Sequence, residues 1–436
     1  MQIRDLIEID FALILSALVL TAFGVLFIYS SGVTSAGLVV STEYLRQIVW
    51  GLIGLAAALL LALADYQKIP RISLYLYLGA LALLVYTCLF GRLVNGARAW
   101  IGIGTVGVQP SEFAKITTIL FLGRYLADTK RSASQFNRFA ISCLIVFAPM
   151  GLVLIQPDFG TSLVFIPILL VMTFAAGVAI RYVIFLIAVI AITGFLMALP
   201  LWQTYINRRP MDALSALLSF RFNAAAISVF LVIGIVAFLG YRKFKRRYFY
   251  WILYGAAIGA LSLGAAFLSH KVLKDYQIMR LIVFMNPNVD PRGAGWNIIQ
   301  SITAIGSGGL FGKGFLQGTQ SHYRFLPQQS TDFIFSIYTE EWGFAGGILV
   351  FALFLTIILR LVRIMKKTID PFGAYLCAGL AGMLAFHFLI NVGMTMGIMP
   401  ITGIPLTFMS YGGSSLISAM AGLGIASSVH IRRYRR

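Results

Sequence analysis

One stretch of the sequence, Asn286 to Asp332, gathers residue types that can do chemistry: NPNVDPRGAGWNIIQSITAIGSGGLFGKGFLQGTQSHYRFLPQQSTD. Two of the chain's only 15 acidic residues, Asp290 and Asp332, bracket it; Arg292, Lys313 and Arg324 lie inside and Arg280 just before. Asp290 precedes Pro291, which biases it toward an extended backbone, and Gly293 and Gly295 follow closely. Asp290 is either a turn former or a general base, because a carboxylate partly withdrawn from water becomes a better base near neutral pH. The cations suit lipid headgroups or the phosphates of a substrate. Nucleotide fingerprints fail: Gly312-Lys313 lacks both the upstream glycine and the following Ser or Thr of a phosphate-binding loop, and no G-x-G-x-x-G can be placed there. What the glycines offer is backbone free to approach a ligand closely. Within the stretch, Ile298, Ile302 and Ile305 stand at helical spacing, which predicts a short amphipathic helix resting on a membrane surface.

Other chemical groups are scattered. Glu112 and Lys115 stand at i and i+3 on one helix face, as a structural ion pair or as functional charges in a costly setting. Asp158, in QPDFGTS, suits either a helix cap ahead of Thr161 and Ser162 or a role in a site. Glu340 and Glu341 lie in an apolar run with no partner fixed by the sequence. His387 stands alone in another and reads as a packing residue. Cys88, Cys143 and Cys377 lie in or beside apolar runs without a metal-ligand pattern, so they read as core thiols.

The elements that carry these groups are set by composition. The chain is 59% hydrophobic and 11% charged, with a mean hydropathy of +0.89. That describes an all-α polytopic membrane protein. At roughly 20 apolar residues per crossing, about twelve spans are expected. They lie near 9–29, 47–64, 72–90, 111–127, 139–154, 161–178, 182–201, 224–241, 249–268, 333–362, 375–396 and 412–430, the fourth and sixth being short or polar. The +19 net charge could suggest nucleic acid. The cations instead fall in short loops on one side: Lys68 and Arg71; Lys130, Arg131 and Arg138; Arg181; Arg242 to Arg247; Arg363, Lys366 and Lys367; and Arg432 to Arg436. The positive-inside rule makes that side cytoplasmic, puts both termini there and removes the case for nucleic acid. No cleavable signal peptide is evident, so the first apolar run is expected to stay as a span. The motif-rich loops, 95–115, 156–162, 269–331 and 397–415, then lie outside, and the chain reads as one integral-membrane domain over residues 1–436.

Taken in order, NGARAW, QPSEFAK, QPDFGTSL, NPNVDPRGAGWNIIQS, GSGGLFGKG, GTQ, FLP…TDFIF and GIPLTFMSYGGSS resemble the SEDS proteins of shape, elongation, division and sporulation, the RodA/FtsW family. The resemblance runs over most of the chain, and GTQ at 318–320 leans to the elongation branch. It implies a peptidoglycan glycosyltransferase that polymerises lipid II at the outer face of the bacterial cytoplasmic membrane for elongation and shape, beside a class B penicillin-binding protein. It implies Asp290, in D-P-x-G-x-G, as the essential carboxylate. Arg46, Arg98, Lys115, Arg280, Lys313 and Gln320 would be substrate-binding, with Glu112, Asp158 and Asp332 in support or as ligands of a divalent cation, magnesium or manganese; no organic cofactor is implied. Two departures stand out. Pro327-Gln328-Gln329-Ser330-Thr331-Asp332 replaces the family's Pro-Glu-x-His-Thr-Asp, so no role for that Glu or His carries over. The family usually has ten spans, so the helix pair at 224–268 is expected to be an insertion just before the catalytic loop at 269–331.

The chemistry that follows is a base-assisted displacement: a sugar hydroxyl attacks an anomeric carbon bearing a diphosphate, Asp290 takes the proton and cations stabilise the leaving group. A lipid II flippase would need the same cations but no base, with a path reaching the cytoplasmic half. A scaffold that activates a penicillin-binding protein would leave these charges without a task.

Overall fold

The structure, a computed structural model, describes residues 10–94, 97–103, 106–203, 219–272 and 275–433. Two compact units emerge, one formed by 1–178 with 297–436 and the other by 179–296.

The first unit starts with α1 (Phe11–Ser31), α2 (Glu43–Leu63) and, after a 3₁₀ turn at Tyr66–Lys68, α3 (Ile69–Phe90). A three-stranded antiparallel sheet follows, β1 (Arg92–Val94), β2 (Ala97–Ile103) and β3 (Val106–Val108), in the order β1-β2-β3. Then come α4 (Pro110–Asp128), α5 (Gln135–Ile155) and a broken segment, α6 (Phe159–Leu163) with α7 (Phe165–Ala175). The second unit holds α8 (Ile180–Trp202), the antiparallel hairpin α9 (Phe220–Phe244) and α10 (Arg247–Val272), and α11 (Asp275–Met285). Helix α12 (Ala294–Ser307) leads back into the first unit, which ends with α13 (Thr319–His322), α14 (Ile334–Lys367), α15 (Pro371–Thr395) and α16 (Gly413–Ile431).

Ten of these helices are long and apolar enough to cross a membrane. The two expected spans outside that set are α4, whose polar first turn lowers its hydropathy, and α6–α7, which is short and interrupted at Val164. Both are largely enclosed by protein, where a helix has no need to match lipid. Helices α15 and α16 are the most enclosed of the ten and α8 the least. The sheet at 92–108 was not expected: two of its three strands are three residues long, and the segment falls in a loop between apolar runs.

Close helix contacts depend on small residues, as helix association in a bilayer generally does. A Cβ at Gly24 of α1 would fall 2.5 Å from the Met409 carbonyl oxygen, and one at Gly424 of α16 would overlap that of Ala58 on α2. Phe23 and Phe27 of α1 pack edge-on or tilted against Tyr338 and Trp342 of α14. Asp10 caps α1 and pairs with Arg360, whose Nη2 lies 2.7 Å from Oδ1. Arg138, expected as a solvated loop cation, is instead 2% exposed and donates to Leu126 O (3.1 Å) and Ala176 O (3.3 Å). It neutralises carbonyls at the ends of α4 and α7, where the helix dipole favours a cation. Arg432 does the same for α2 through Ala62 O and Leu63 O.

Helix α12 is the short amphipathic helix expected from the isoleucine spacing, and one of its faces docks on protein. Ile298, Ser301 and Ala304 are buried while Ile302 is exposed. The Ser301 hydroxyl shares a hydrogen bond with Ser336 (2.6 Å) and donates to Thr395 O (2.7 Å), so a polar contact sets which face docks onto the protein.

Two glycines test this packing. Gly24→Ala is expected to destabilise by about 1–3 kcal/mol through overpacking against the Met409 backbone. Gly79→Ala, with nothing within 4 Å of the added carbon, is expected to leave the melting temperature in detergent unchanged or higher.

Candidate functional site

In the second unit, the turn around Asp290 is built by its glycines. The Asn286 side chain accepts from Asn288 N (3.1 Å) and starts the 3₁₀ turn Pro287–Val289. Gly293 N donates to Asp290 Oδ1 (3.0 Å), and Gly295 N donates to Asp290 O (2.9 Å). A Cβ at Gly293 would overlap Asp290 Oδ2, and one at Gly295 would overlap Pro287 O. The D-P-x-G-x-G spacing is therefore what lets the chain fold over the carboxylate and fix its orientation. Asp290 remains half-buried, as does Arg280, midway along α11.

In the first unit, Glu112, Lys115 and Asp158 come together around the start of α4. Pro110 opens that helix, where its missing N–H costs nothing. Lys115 Nζ donates to Glu112 Oε1 (2.8 Å) and to His387 Nε2 (3.1 Å), and both charged side chains are almost fully buried. An ammonium only donates, so Nε2 of His387 accepts, and its proton sits on Nδ1, facing Pro405 O at 3.2 Å. Two of the three Lys115 donors are thus committed. Gln109 links this group to the next: its Nε2 donates to Asp158 Oδ2 (2.8 Å), and its backbone N donates to Ser414 Oγ (3.0 Å). Asp158 caps α6 by accepting from Thr161 N (3.1 Å). Loss of water raises its carboxyl above the usual aspartate range, Thr161 pulls it back, and the Glu112 and Lys115 charges act in opposite directions.

A second cluster holds the glycine-rich loop. Glu340, fully buried in α14, accepts from Lys313 Nζ (2.7 Å), Thr319 N (2.9 Å), Thr319 Oγ1 (2.9 Å) and Gln320 N (3.2 Å). Glu341 accepts from Leu316 N (3.0 Å) and from the Ser30 hydroxyl of α1. The helix leaves α geometry at Gly343 (φ 66°), and Lys313 N and Gly314 N bond to the Glu340 and Glu341 carbonyls, both at 3.0 Å. Lys313 and Gln320, expected on the substrate, also help to fix this loop, Lys313 by its side chain and Gln320 by its backbone N–H.

The remaining expected residues lie on separate elements. Arg46 is half-buried on α2 and Arg98 exposed on β2. Asp332 is tied through its carbonyl, which accepts from Asn391 Nδ2 (3.0 Å). The GIPLTFMSYGGSS motif is stitched to the 330–331 segment: Ser410 Oγ donates to Thr331 O (2.5 Å) and Tyr411 N to Ser330 O (2.8 Å). Gln47 of α2 holds the same turn from the other side. Gln109, His387 and the Glu340 and Glu341 contacts were not found from the sequence; a lone histidine inside an apolar span is the signal that pointed to one of them. Among the described residues, no group of three or more His, Cys, Asp or Glu side chains is placed to hold a metal ion.

Comparison with known proteins places these residues in a family. The profile of the FtsW, RodA and SpoVE cell cycle proteins matches residues 11–218 and 214–435. The chain is 49% identical to the peptidoglycan glycosyltransferase RodA of Treponema pallidum, over 99% of this chain and 100% of that one. It is 32% identical to the peptidoglycan glycosyltransferase MrdB of Escherichia coli K12, over 98% and 95%. It is 31% identical to the stage V sporulation protein E of Bacillus subtilis, over 98% of each. Among solved structures it resembles a chain of a peptidoglycan synthase complex that coordinates polymerization and crosslinking (TM-score 0.64, 27% identity, 98% and 99% covered). It also resembles the rod shape determining protein RodA of Thermus thermophilus (TM-score 0.60, 25% identity, 98% of each covered). A profile matched along almost the whole sequence and relatives aligned from end to end leave one conclusion: the chain belongs to the FtsW, RodA and SpoVE family of multi-pass membrane proteins.

Proposed function

We propose that this protein is a peptidoglycan glycosyltransferase that polymerises lipid II at the outer face of the bacterial cytoplasmic membrane, for elongation and shape, and that Asp290 is its general base. The observation that carries the assignment of Asp290 is the glycine-locked turn, which spends two residues without side chains on presenting one oriented carboxylate. The near end-to-end kinship with peptidoglycan glycosyltransferases supports the activity itself.

In this reaction the acceptor's N-acetylglucosamine 4-hydroxyl attacks the anomeric carbon of the donor, and Asp290 accepts its proton. The bond from carbon to the polyprenyl diphosphate oxygen breaks, and the new β-1,4 bond forms with inversion. A diphosphate leaves readily once its charge is balanced, so no strong general acid is required. Arg46, Arg98 and Arg280 are the proposed contacts to that charge. Lys115, with two of its donors committed, acts chiefly by balancing Glu112 and holding the buried cluster. Lys313 and Gln320 fix the glycine-rich loop through one side chain and one backbone N–H, and the Gln320 side chain is a further proposed substrate contact. Among the described residues no cluster of acidic, His or Cys side chains is placed to hold a metal ion; in this reading a magnesium or manganese ion would be carried by the diphosphate oxygens together with carboxylates such as Glu112 and Asp158. A class B penicillin-binding protein is the proposed partner, and cytoplasmic termini the proposed orientation. The helix pair at 224–268 is proposed as an insertion outside the chemistry.

Asp290→Asn, assayed with lipid II, a divalent cation and the partner, is expected to lose at least about 100-fold in glycan polymer on a gel while keeping the wild-type melting temperature. An active variant would sink the assignment. Gly293→Ala, by displacing the carboxylate, is expected to cost roughly 10- to 100-fold in turnover with little change in KM. Lys115→Met leaves Glu112 buried and unpaired and is expected to destabilise by about 3–5 kcal/mol, read as a lower melting temperature. Lys115→Met paired with Glu112→Gln should recover most of that stability without recovering full activity.

A further inference from the structure

The second unit carries, at one end, a group of cations that the glycosyltransferase reaction leaves unused. The turn between α9 and α10 reads Arg242-Lys243-Phe244-Lys245-Arg246-Arg247, and all six residues are exposed. Arg181, at the start of α8, lies at the same end, because Tyr254 of α10 donates its hydroxyl to the Arg181 carbonyl (2.7 Å). Among the described residues none of these cations has a carboxylate within ion-pairing distance. The unit's sequence contains three acids. Asp275 and Asp290 follow the opposite end of α10, and Asp212 lies outside the described residues.

The cations are held in place. The Arg181 guanidinium sits over the Tyr182 ring at 5.0 Å and the Tyr250 ring at 5.4 Å. Arg247, Tyr250, Trp251 and Tyr254 recur at i, i+3, i+4 and i+7, so Arg247 shares the α10 face that meets Arg181. The hairpin tip is packed rigidly: Phe249 stacks on Phe244 (5.9 Å) and fills the space that a Cβ at Gly240 would need. Lys245 takes the left-handed cap position (φ 50°) that glycine usually occupies, so the turn keeps a cation at some strain. Positive-inside topology needs only charge on one side and none of this order.

We infer that this end of the second unit is a binding surface for the phosphate headgroup of an anionic phospholipid, with Arg181 and Arg247 as its two guanidinium forks. A lipid suits the surface better than an acidic peptide because the cations are interleaved with outward-facing aromatic rings. Phe244, Tyr248 and Trp251 are 57%, 56% and 59% exposed at the ends of membrane-spanning helices. Such rings settle at the headgroup level of a bilayer, where long basic side chains also reach. A juxtamembrane cluster of this size is the pattern of anionic-lipid recognition, and a guanidinium offers the bidentate geometry that a phosphodiester accepts.

The test uses the full chain in nanodiscs of mixed phosphatidylcholine and phosphatidylglycerol, doped with photoactivatable analogues of each lipid, with cross-links mapped by mass spectrometry. The phosphatidylglycerol analogue is expected to label residues 241–254 at least about fivefold more than the phosphatidylcholine analogue, fivefold being what a single cation contact at the membrane surface supplies and two forks exceeding it. In Arg181→Gln with Arg247→Gln the ratio should fall toward one, and in Arg181→Lys with Arg247→Lys most of it should remain. Because the ratio is read within one sample, loss of folded protein lowers both labels and does not imitate the result. Equal labelling by the two lipids in the wild type would overturn the inference, as would a phosphatidylglycerol preference unchanged by the glutamines. Displacement of the lipid label by soluble polyglutamate at constant ionic strength would assign the surface to an acidic polypeptide instead, and displacement by inorganic phosphate alone would reduce it to a general anion site.

Discussion

Backbone that runs through apolar surroundings must find its own hydrogen-bond partners, because neither lipid nor an apolar interior supplies them. The glycine-rich loop before α14 meets that constraint through two adjacent carboxylates. Glu340 and Glu341 collect the N–H groups of Leu316, Thr319 and Gln320, the Lys313 ammonium and the Ser30 hydroxyl. Their carbonyls are freed to bond Lys313 N and Gly314 N where the helix breaks at Gly343. A buried carboxylate left unpaired is strongly destabilising, so the loop and the helix fix each other. The same logic governs the Lys115, Glu112 and His387 group, where a buried ammonium joins a buried carboxylate and a buried imidazole. It also governs Arg138 and Arg432, which spend their charge on helix-end carbonyls.

Much of this architecture was legible in the sequence. An apolar run of about 20 residues has few alternatives to a transmembrane helix, so the spans lie close to where hydropathy put them. The signal weakens where protein rather than lipid surrounds the helix: α4 can carry Glu112 and Lys115 in its first turns, and α6–α7 can break at Val164. The β1–β3 sheet left a weaker signal, since its strands are short and include glycines at 102 and 107 that face each other across the ladder.

The chemistry was legible in a different way. Asp290 and its two glycines are local in sequence, and the geometry explains the spacing directly. The Glu340 clamp is not local: its partners lie about twenty to thirty residues upstream, and no pattern in the helix names them. For the same reason the pairing of Lys313 with Glu340 could not be read from the sequence, and His387 looked like packing until Lys115 was found against it. Resemblance to a family singled out candidate residues, while distances were needed to see which of them also hold the scaffold.

The central claim, that the Asp290 carboxylate takes a proton from the acceptor sugar, is tested most directly by a structure of the Asp290→Asn chain with its partner and bound lipid II. The account predicts the substituted side chain at position 290 within hydrogen-bond reach, about 2.6–3.2 Å, of the acceptor's 4-hydroxyl. A sugar bound with that hydroxyl facing a different carboxylate, and no sugar oxygen within reach of position 290, would contradict it.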